Sequence, residues 1–207
     1  MTSEASDAPT TSATPQRWVD AVRAHLDELL LEQAHLEKKA AAGAVTFLFR
    51  LPLDARLHRK LSALAREELV HFERALRLLE RRGVAFETQT SSGYAERLKK
   101  AIRRDAPARL VDELLVAAVI ERRSHERMSM LAAALAAAEP EVARFYADLC
   151  PAEERHEELY VELAELVADA PSVRARHQEW LDHEAEVLAQ LPFSPRLHGG
   201  LPATGEV

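Results

Sequence analysis

Apolar residues recur at three- and four-residue intervals along almost the whole chain, which predicts helix after helix and no strand. From Thr14-Pro15, with Thr as cap and Pro in the first turn, this pattern runs to about residue 50. It carries Trp18, Val22, Leu26, Leu29 and Leu30. Pro52 separates it from a second long helix, which the basic turn Arg81-Arg82 and the following Gly83 are expected to stop. Residues 84–93 have no period and read as a loop, and residues 94–104 suit a short basic helix. A third long helix is expected from Asp105-Ala106-Pro107 to about residue 138, and a fourth from Pro140 to about residue 167. Pro151 lies inside the fourth and predicts a kink, because its ring removes a hydrogen bond and crowds the preceding turn. Pro171 opens a last helix to about residue 190.

Only one link between the four long helices is long, at residues 83–107. The fold class expected is therefore all-α: a ferritin-like four-helix bundle with one long crossover connection plus extra helices. The domain reading is a disordered tail at residues 1–14, one helical domain at 15–191 and an extended tail at 192–207.

Composition agrees with helix: 47% of residues are apolar, Ala and Leu dominate, and only six are Gly. A length of 207 residues suits one domain with a substantial core. The formal charge of −7 argues against a protein that coats nucleic acid generally, while leaving room for a local basic patch. The one cysteine, Cys150, excludes an intramolecular disulfide, a tetracysteine iron site and an internal iron–sulfur cluster. No apolar run approaches the roughly 20 residues that span a bilayer. Residues 1–14 lack the basic start and apolar middle of a signal peptide, so a cytoplasmic protein is expected.

A repeated polar spacing changes the picture. Glu37 is followed 31 residues later by Glu68, with His71 three further on. Glu121 is followed 32 residues later by Glu153, with His156 three further on. One Glu-x-x-His in a chain with 34 acidic residues is expected by chance. Here, however, each carboxylate sits on a largely apolar helical stripe. Glu68 shares its stripe with Leu61, Leu64, Ala65, His71, Phe72 and Ala75, whereas its neighbour Glu67 shares one with Lys60 and Arg74 and points outward. Gln33 and Ala34 flank Glu37; Ala117, Ser124, His125 and Met128 flank Glu121; Tyr146, Cys150 and Tyr160 flank Glu153. Four buried carboxylates need compensating charge, which two divalent cations supply with neutral imidazoles. Glu37, Glu68, His71, Glu121, Glu153 and His156 thus match a two-metal centre inside a bundle. Oxygen-rich donors with one imidazole per metal suit iron, with manganese the weaker candidate. Cys150, Tyr146, Tyr160 and His125 are read as packing residues first, and His35 as peripheral.

The segments around these positions resemble the MiaE family, the tRNA-(2-methylthio-N6-isopentenyladenosine) hydroxylases. They are Glu37-Lys-Lys-Ala-Ala-Ala, Leu64-Ala-Arg-Glu-Glu-Leu-Val-His-Phe-Glu, Ile120-Glu-Arg-Arg-Ser-His-Glu-Arg, Glu153-Glu-Arg-His and the ending Ser194-Pro-Arg-Leu-His-Gly-Gly. Glu32-Gln33-Ala34-His35-Leu36 departs from the Asp-His-Ala type of segment expected before the first ligand. The resemblance implies an O2-dependent di-iron monooxygenase acting on the isopentenyl group of a hypermodified adenosine beside the tRNA anticodon. It places the same six residues at the metals. No flavin or nicotinamide motif is present, so an external reductase or ferredoxin is the expected electron donor. Lys99, Lys100, Arg103 and Arg104 are the first candidates for contact with tRNA phosphates, followed by Arg81-Arg82 and Lys38-Lys39. The competing expectations are a ferritin-like iron-oxidising or iron-storage protein, or a di-iron oxidase with another substrate.

Overall fold

The computed structural model of the chain describes residues 13–203. The tail expected at residues 1–14 falls almost wholly outside the described residues. Among the described residues seven α-helices follow one another: α1 Gln16–Val22, α2 Leu26–Leu48, α3 Ala55–Arg82, α4 Tyr94–Lys99, α5 Ala108–Leu135, α6 Pro140–Val167 and α7 Ala170–Gln190. None among the described residues is long and apolar enough to cross a membrane. Short links make α2–α3 and α5–α6 two antiparallel hairpins, each packed along its full length. The long connection between them carries α4. This is a ferritin-like bundle with a single crossover, and α7 lies across α5 with further contacts to α4 and α6.

Several helix ends follow directly from local chemistry. Gly83 takes φ 71°, and the Val84 N–H reaches back to the Leu79 carbonyl at 2.9 Å, closing α3. Asp54 caps the start of α3 by accepting from the N–H groups of Arg56 at 2.8 Å and Leu57 at 3.0 Å. The α6 backbone stays helical through Pro151.

Other ends differ from the sequence expectation because tertiary partners outbid local preference. Thr14 is not a cap. It is buried, and its N–H and hydroxyl donate to the Glu126 carboxylate at 2.7 and 3.1 Å, while Pro15 takes the N-cap position. The first predicted helix is interrupted by a 3-10 turn at Arg23–His25, where three successive exposed residues leave nothing buried to hold the α-geometry. The short basic helix ends at Lys99, because Asp112 on α5 takes the backbone N–H of Arg103 at 2.9 Å.

Two apolar clusters fill the bundle. One includes Phe47, Leu61, Leu64, Leu114, Tyr160, Leu163 and Trp180; the other includes Trp18, Leu29, Leu78, Met128, Leu131, Tyr146 and Leu149. Each long helix passes from one cluster to the other at the predicted polar positions: Glu37 on α2, Glu68 and His71 on α3, Glu121 on α5, Glu153 and His156 on α6. A single polar layer therefore divides the core.

The segment after Leu191 folds back over the bundle as a strap. Arg127, fully buried over the Trp18 ring, donates to the carbonyls of Leu197 at 2.6 Å and Gly199 at 2.8 Å. Glu32 accepts the Leu197 N–H. His198 stacks on Tyr94 with ring centroids 4.8 Å apart and meets the Ser124 hydroxyl at 3.1 Å.

Candidate metal centre

The six residues singled out by spacing come together in the polar layer, and none is more than 6% exposed. Glu37, Glu68, His71 and Glu153 bring one donor atom each to within 4.8 Å of one another, and Glu68, Glu121, Glu153 and His156 do the same. Glu68 and Glu153 belong to both groups. Glu37 and His71 complete one, and Glu121 and His156 complete the other.

Burial and mutual crowding perturb the proton affinity of all four carboxylates in this layer. Burial pushes Glu68, Glu121 and Glu153 above the usual carboxylate range, and for Glu153 the neighbouring carboxylates push further. Burial also works against Glu37, but the nearby His71 imidazole, at 3.7 Å, and the hydrogen bond from Gln33 hold it below its ordinary value. Burial pulls the His71 imidazole down, yet Glu37 and Glu68 raise it to about 9. Both Glu68 oxygens, His71 Nδ1 and His156 Nδ1 are buried without a hydrogen-bond partner. His156 Nδ1 nevertheless stands 2.7 Å from Glu68 Oε1.

The His156 tautomer explains this close approach. Its Nε2 lies 3.1 Å from Glu67 Oε2, and Glu67 stays ionised because His156 and Arg155 offset the cost of its partial burial. A carboxylate only accepts, so Nε2 carries a proton, and in the neutral imidazole the lone pair on Nδ1 faces the Glu68 oxygen. Two such groups in close approach are satisfied by a proton that the raised Glu68 carboxyl can hold, or by a metal cation in its place. The donor set suits a dimetal site.

Glu67 is the functional residue that stripe reasoning turned away. It is 38% exposed along its side chain, as its stripe implied, but it reaches across to a histidine on another helix. Its adjacency to Glu68 was visible; its partner was not. Gln33, noted only as a stripe neighbour, donates to Glu37 Oε1 at 2.6 Å. His125 instead lines a surface hollow with Glu154 and Glu157, and His35 meets the Glu87 carbonyl at 2.8 Å on the periphery. Cys150 contacts Ser129 and the Tyr146 carbonyl and stays outside the cluster.

A cavity of about 440 Å³ connects the cluster to the surface between α2, α4 and α5. Its floor is Glu37, Glu68, Glu121 and Glu153, and Phe47, Val116, Ile120, Met128 and Tyr160 supply apolar wall. His198 and Ser124 add a polar patch, so the strap forms part of the lining. Exposed Lys39, Arg50 and Lys99 stand at the rim. The basic residues considered for RNA separate into two kinds. Arg103 is held by Asp112, Arg82 by Asp27 and Glu139, and Arg81 by Glu141; the rim Arg50, not one of those candidates, is held by Glu113. Lys99 and Lys39 line the cavity, while Lys100 and Arg104 are exposed nearby in sequence.

Known proteins share this arrangement. A Synechococcus protein described as having aldehyde deformylating oxygenase activity superposes with a TM-score of 0.82 at 37% identity, over 97% of this chain and 98% of its own. The tRNA 2-(methylsulfanyl)-N(6)-isopentenyladenosine(37) hydroxylase of Pseudomonas putida is 39% identical over 156 residues, 75% of each protein. The Salmonella typhimurium hydroxylase of the same name is 32% identical over 158 residues, 74% of this chain and 56% of that protein. The family model for tRNA-(MS[2]IO[6]A)-hydroxylase (MiaE) matches residues 4–199, from before α1 through the strap that closes the cavity. With the bundle, the polar layer and the strap as far as Gly199 inside that match, the chain belongs to the MiaE family of tRNA hydroxylases.

Proposed function

We propose that this chain is an O2-dependent monooxygenase that hydroxylates the isopentenyl group of a (2-methylthio)-N6-isopentenyladenosine beside the tRNA anticodon. Two iron ions would be held by Glu37, Glu68, His71, Glu121, Glu153 and His156. The observation that carries the reading is the cavity: an apolar shaft that ends on four carboxylates and opens among lysines. A prenyl chain fits the shaft, and the phosphates flanking its nucleoside meet the rim.

Bound iron would supply reductive activation of O2 and insertion of one oxygen atom into a C–H bond, with electrons from an external reductase or ferredoxin. The residues of the chain do the rest. Glu68 and Glu153 would be available to both ions, Gln33 orients Glu37, and Glu67 orients His156. Phe47, Val116, Ile120 and Met128 keep water from the reacting carbon. Lys99, with Lys100 and Arg104, supplies the phosphate contacts. A cytoplasmic location follows from a tRNA substrate.

A second reading has one observation in its favour. The Synechococcus structure shares nearly the whole chain and carries an activity on aldehydes, so an oxygenase acting on an apolar aldehyde would use the same shaft. Nucleoside mass spectrometry of tRNA from cells with and without this protein separates the two. Loss of the hydroxylated prenyl-adenosine on deletion is expected, with rescue by wild type and none by Glu68→Ala. An unchanged nucleoside profile would overturn the tRNA reading and leave the aldehyde one standing.

A further inference from the structure

The two halves of the centre share one Glu…Glu-x-x-His pattern but are not finished alike. The residue before Glu68 is Glu67, and the residue before Glu153 is Ala152. Glu67 takes the Nε2 hydrogen of His156 at 3.1 Å and is itself pinned by Arg155, whose Nη2 donates to the other oxygen at 2.6 Å. The corresponding residues facing the other half are Ala152, which has no acceptor side chain, and Val70 in place of Arg155. Among the described residues, the ion pairs of His71 are with Glu37 and Glu68, both through Nδ1.

The outer carboxylates differ in the same sense. Gln33, four residues before Glu37, donates to Glu37 Oε1 at 2.6 Å and draws electron density from that ligand. Ala117, four residues before Glu121, has nothing to donate. A carboxylate behind an imidazole fixes its tautomer, orients the ring and raises the basicity of the metal-facing nitrogen. An amide donor on a carboxylate does the reverse. Both differences make the donors on the Glu121–His156 side the stronger pair.

We propose that the two metal positions are inequivalent: the ion framed by Glu121 and His156 is held more tightly than the ion framed by Glu37 and His71, with Glu67 as the positioning residue. This rests on the dimetal reading above. It concerns binding order rather than turnover, and it means that the half-loaded protein carries its ion on the His156 side.

The test is anaerobic Fe(II) equilibrium dialysis of the full chain, with Co(II) absorbance titration as a second probe. Wild type should bind in two unequal steps. Glu67→Ala should weaken the tighter step about 10–100-fold and leave the other within about twofold. Glu67→Gln keeps an acceptor without the charge and should fall between. The Glu67→Ala effect should persist in a His71→Ala background and vanish in a His156→Ala background, an interaction that a general structural role would not produce. Glu67 is partly exposed, so the metal-free melting temperature of Glu67→Ala should stay near wild type. Equal steps in wild type, or a Glu67→Ala change that moves both steps together or neither, would overturn the proposal. Wild-type protein that binds no iron would overturn it together with the dimetal reading, so the two failures are distinguishable.

Discussion

His156 Nδ1 and Glu68 Oε1 stand 2.7 Å apart in the buried layer, while Glu67 engages the same imidazole from its far side at Nε2. The pair is arranged for a cation, and without one the polar layer costs stability. Glu153 shows the cost most plainly, since burial and three other carboxylates all push its proton affinity up. A carboxyl raised in the folded state destabilises the fold increasingly as pH climbs above its ordinary value, and an amide carries no such cost. Glu153→Gln is therefore expected to raise metal-free stability by on the order of 1 kcal/mol at neutral pH. It should also remove most of the metal-dependent stabilisation, which for an intact site is about 2.7 kcal/mol at a hundredfold excess over Kd. Thermal melts with and without chelator check both signs.

The strap depends on two glycines that no other residue replaces. A Cβ on Gly200 would lie 2.0 Å from the Leu191 carbonyl oxygen, and one on Gly199 would lie 2.3 Å from that of Ser194. Both obstacles are backbone atoms, so the strap itself must shift. Gly200→Ala is expected to cost about 1–3 kcal/mol, to expose the strap to limited proteolysis and to lower activity by opening the cavity wall. Protease resistance equal to wild type would count against this role.

Acid should loosen the same strap. Burial, together with Arg127 and Arg123, lowers His198 to about 3 from its ordinary 6.5. The unfolded chain then takes up a proton between pH 6.5 and 3 that the folded chain refuses, so stability falls as pH drops through that window. The loss between pH 6.5 and 5 is on the order of 2 kcal/mol. Glu32 opposes it, because burial raises that carboxyl to about 7 and its contribution grows as pH falls. The difference between wild type and His198→Gln isolates the histidine: from pH 7 to 5 the variant should gain on the order of 2 kcal/mol relative to wild type in urea titrations.

Asp112 separates structural cations from available ones. Fully buried, it accepts from the Arg103 side chain at 2.8 and 2.9 Å, from Arg176 at 2.9 and 3.1 Å, and from Trp180 Nε1 at 3.3 Å. Asp112→Ala leaves Arg103 without its anion and Arg176 with Glu179 alone, and should cost about 2–3 kcal/mol. Arg103→Ala should lower the melting temperature as well. The triple neutralisation of Lys99, Lys100 and Arg104 should leave it unchanged while weakening tRNA binding and flattening its salt dependence by about one unit per lost phosphate contact. Unaltered tRNA affinity would exclude this rim as the phosphate-binding surface.

Periodicity and spacing along the chain were enough to determine the helical class, the single crossover, the limits of α6, the stop at Gly83 and the set of six residues in the polar layer. Those features are local: they follow from 3.6-residue geometry, from proline and glycine backbone limits, and from the cost of placing carboxylates on apolar stripes. What tertiary structure alone decided was partnership. Glu67 lies on an outward stripe of α3, and only the packing of α6 brings His156 Nε2 to it. Arg103 looks like one of four equivalent cations until the buried Asp112 claims it. Thr14 has the chemistry of a helix cap, yet Glu126, 112 residues away, takes its donors. A helix stripe specifies which way a side chain leaves its own axis; which group it meets depends on how the helices are brought together.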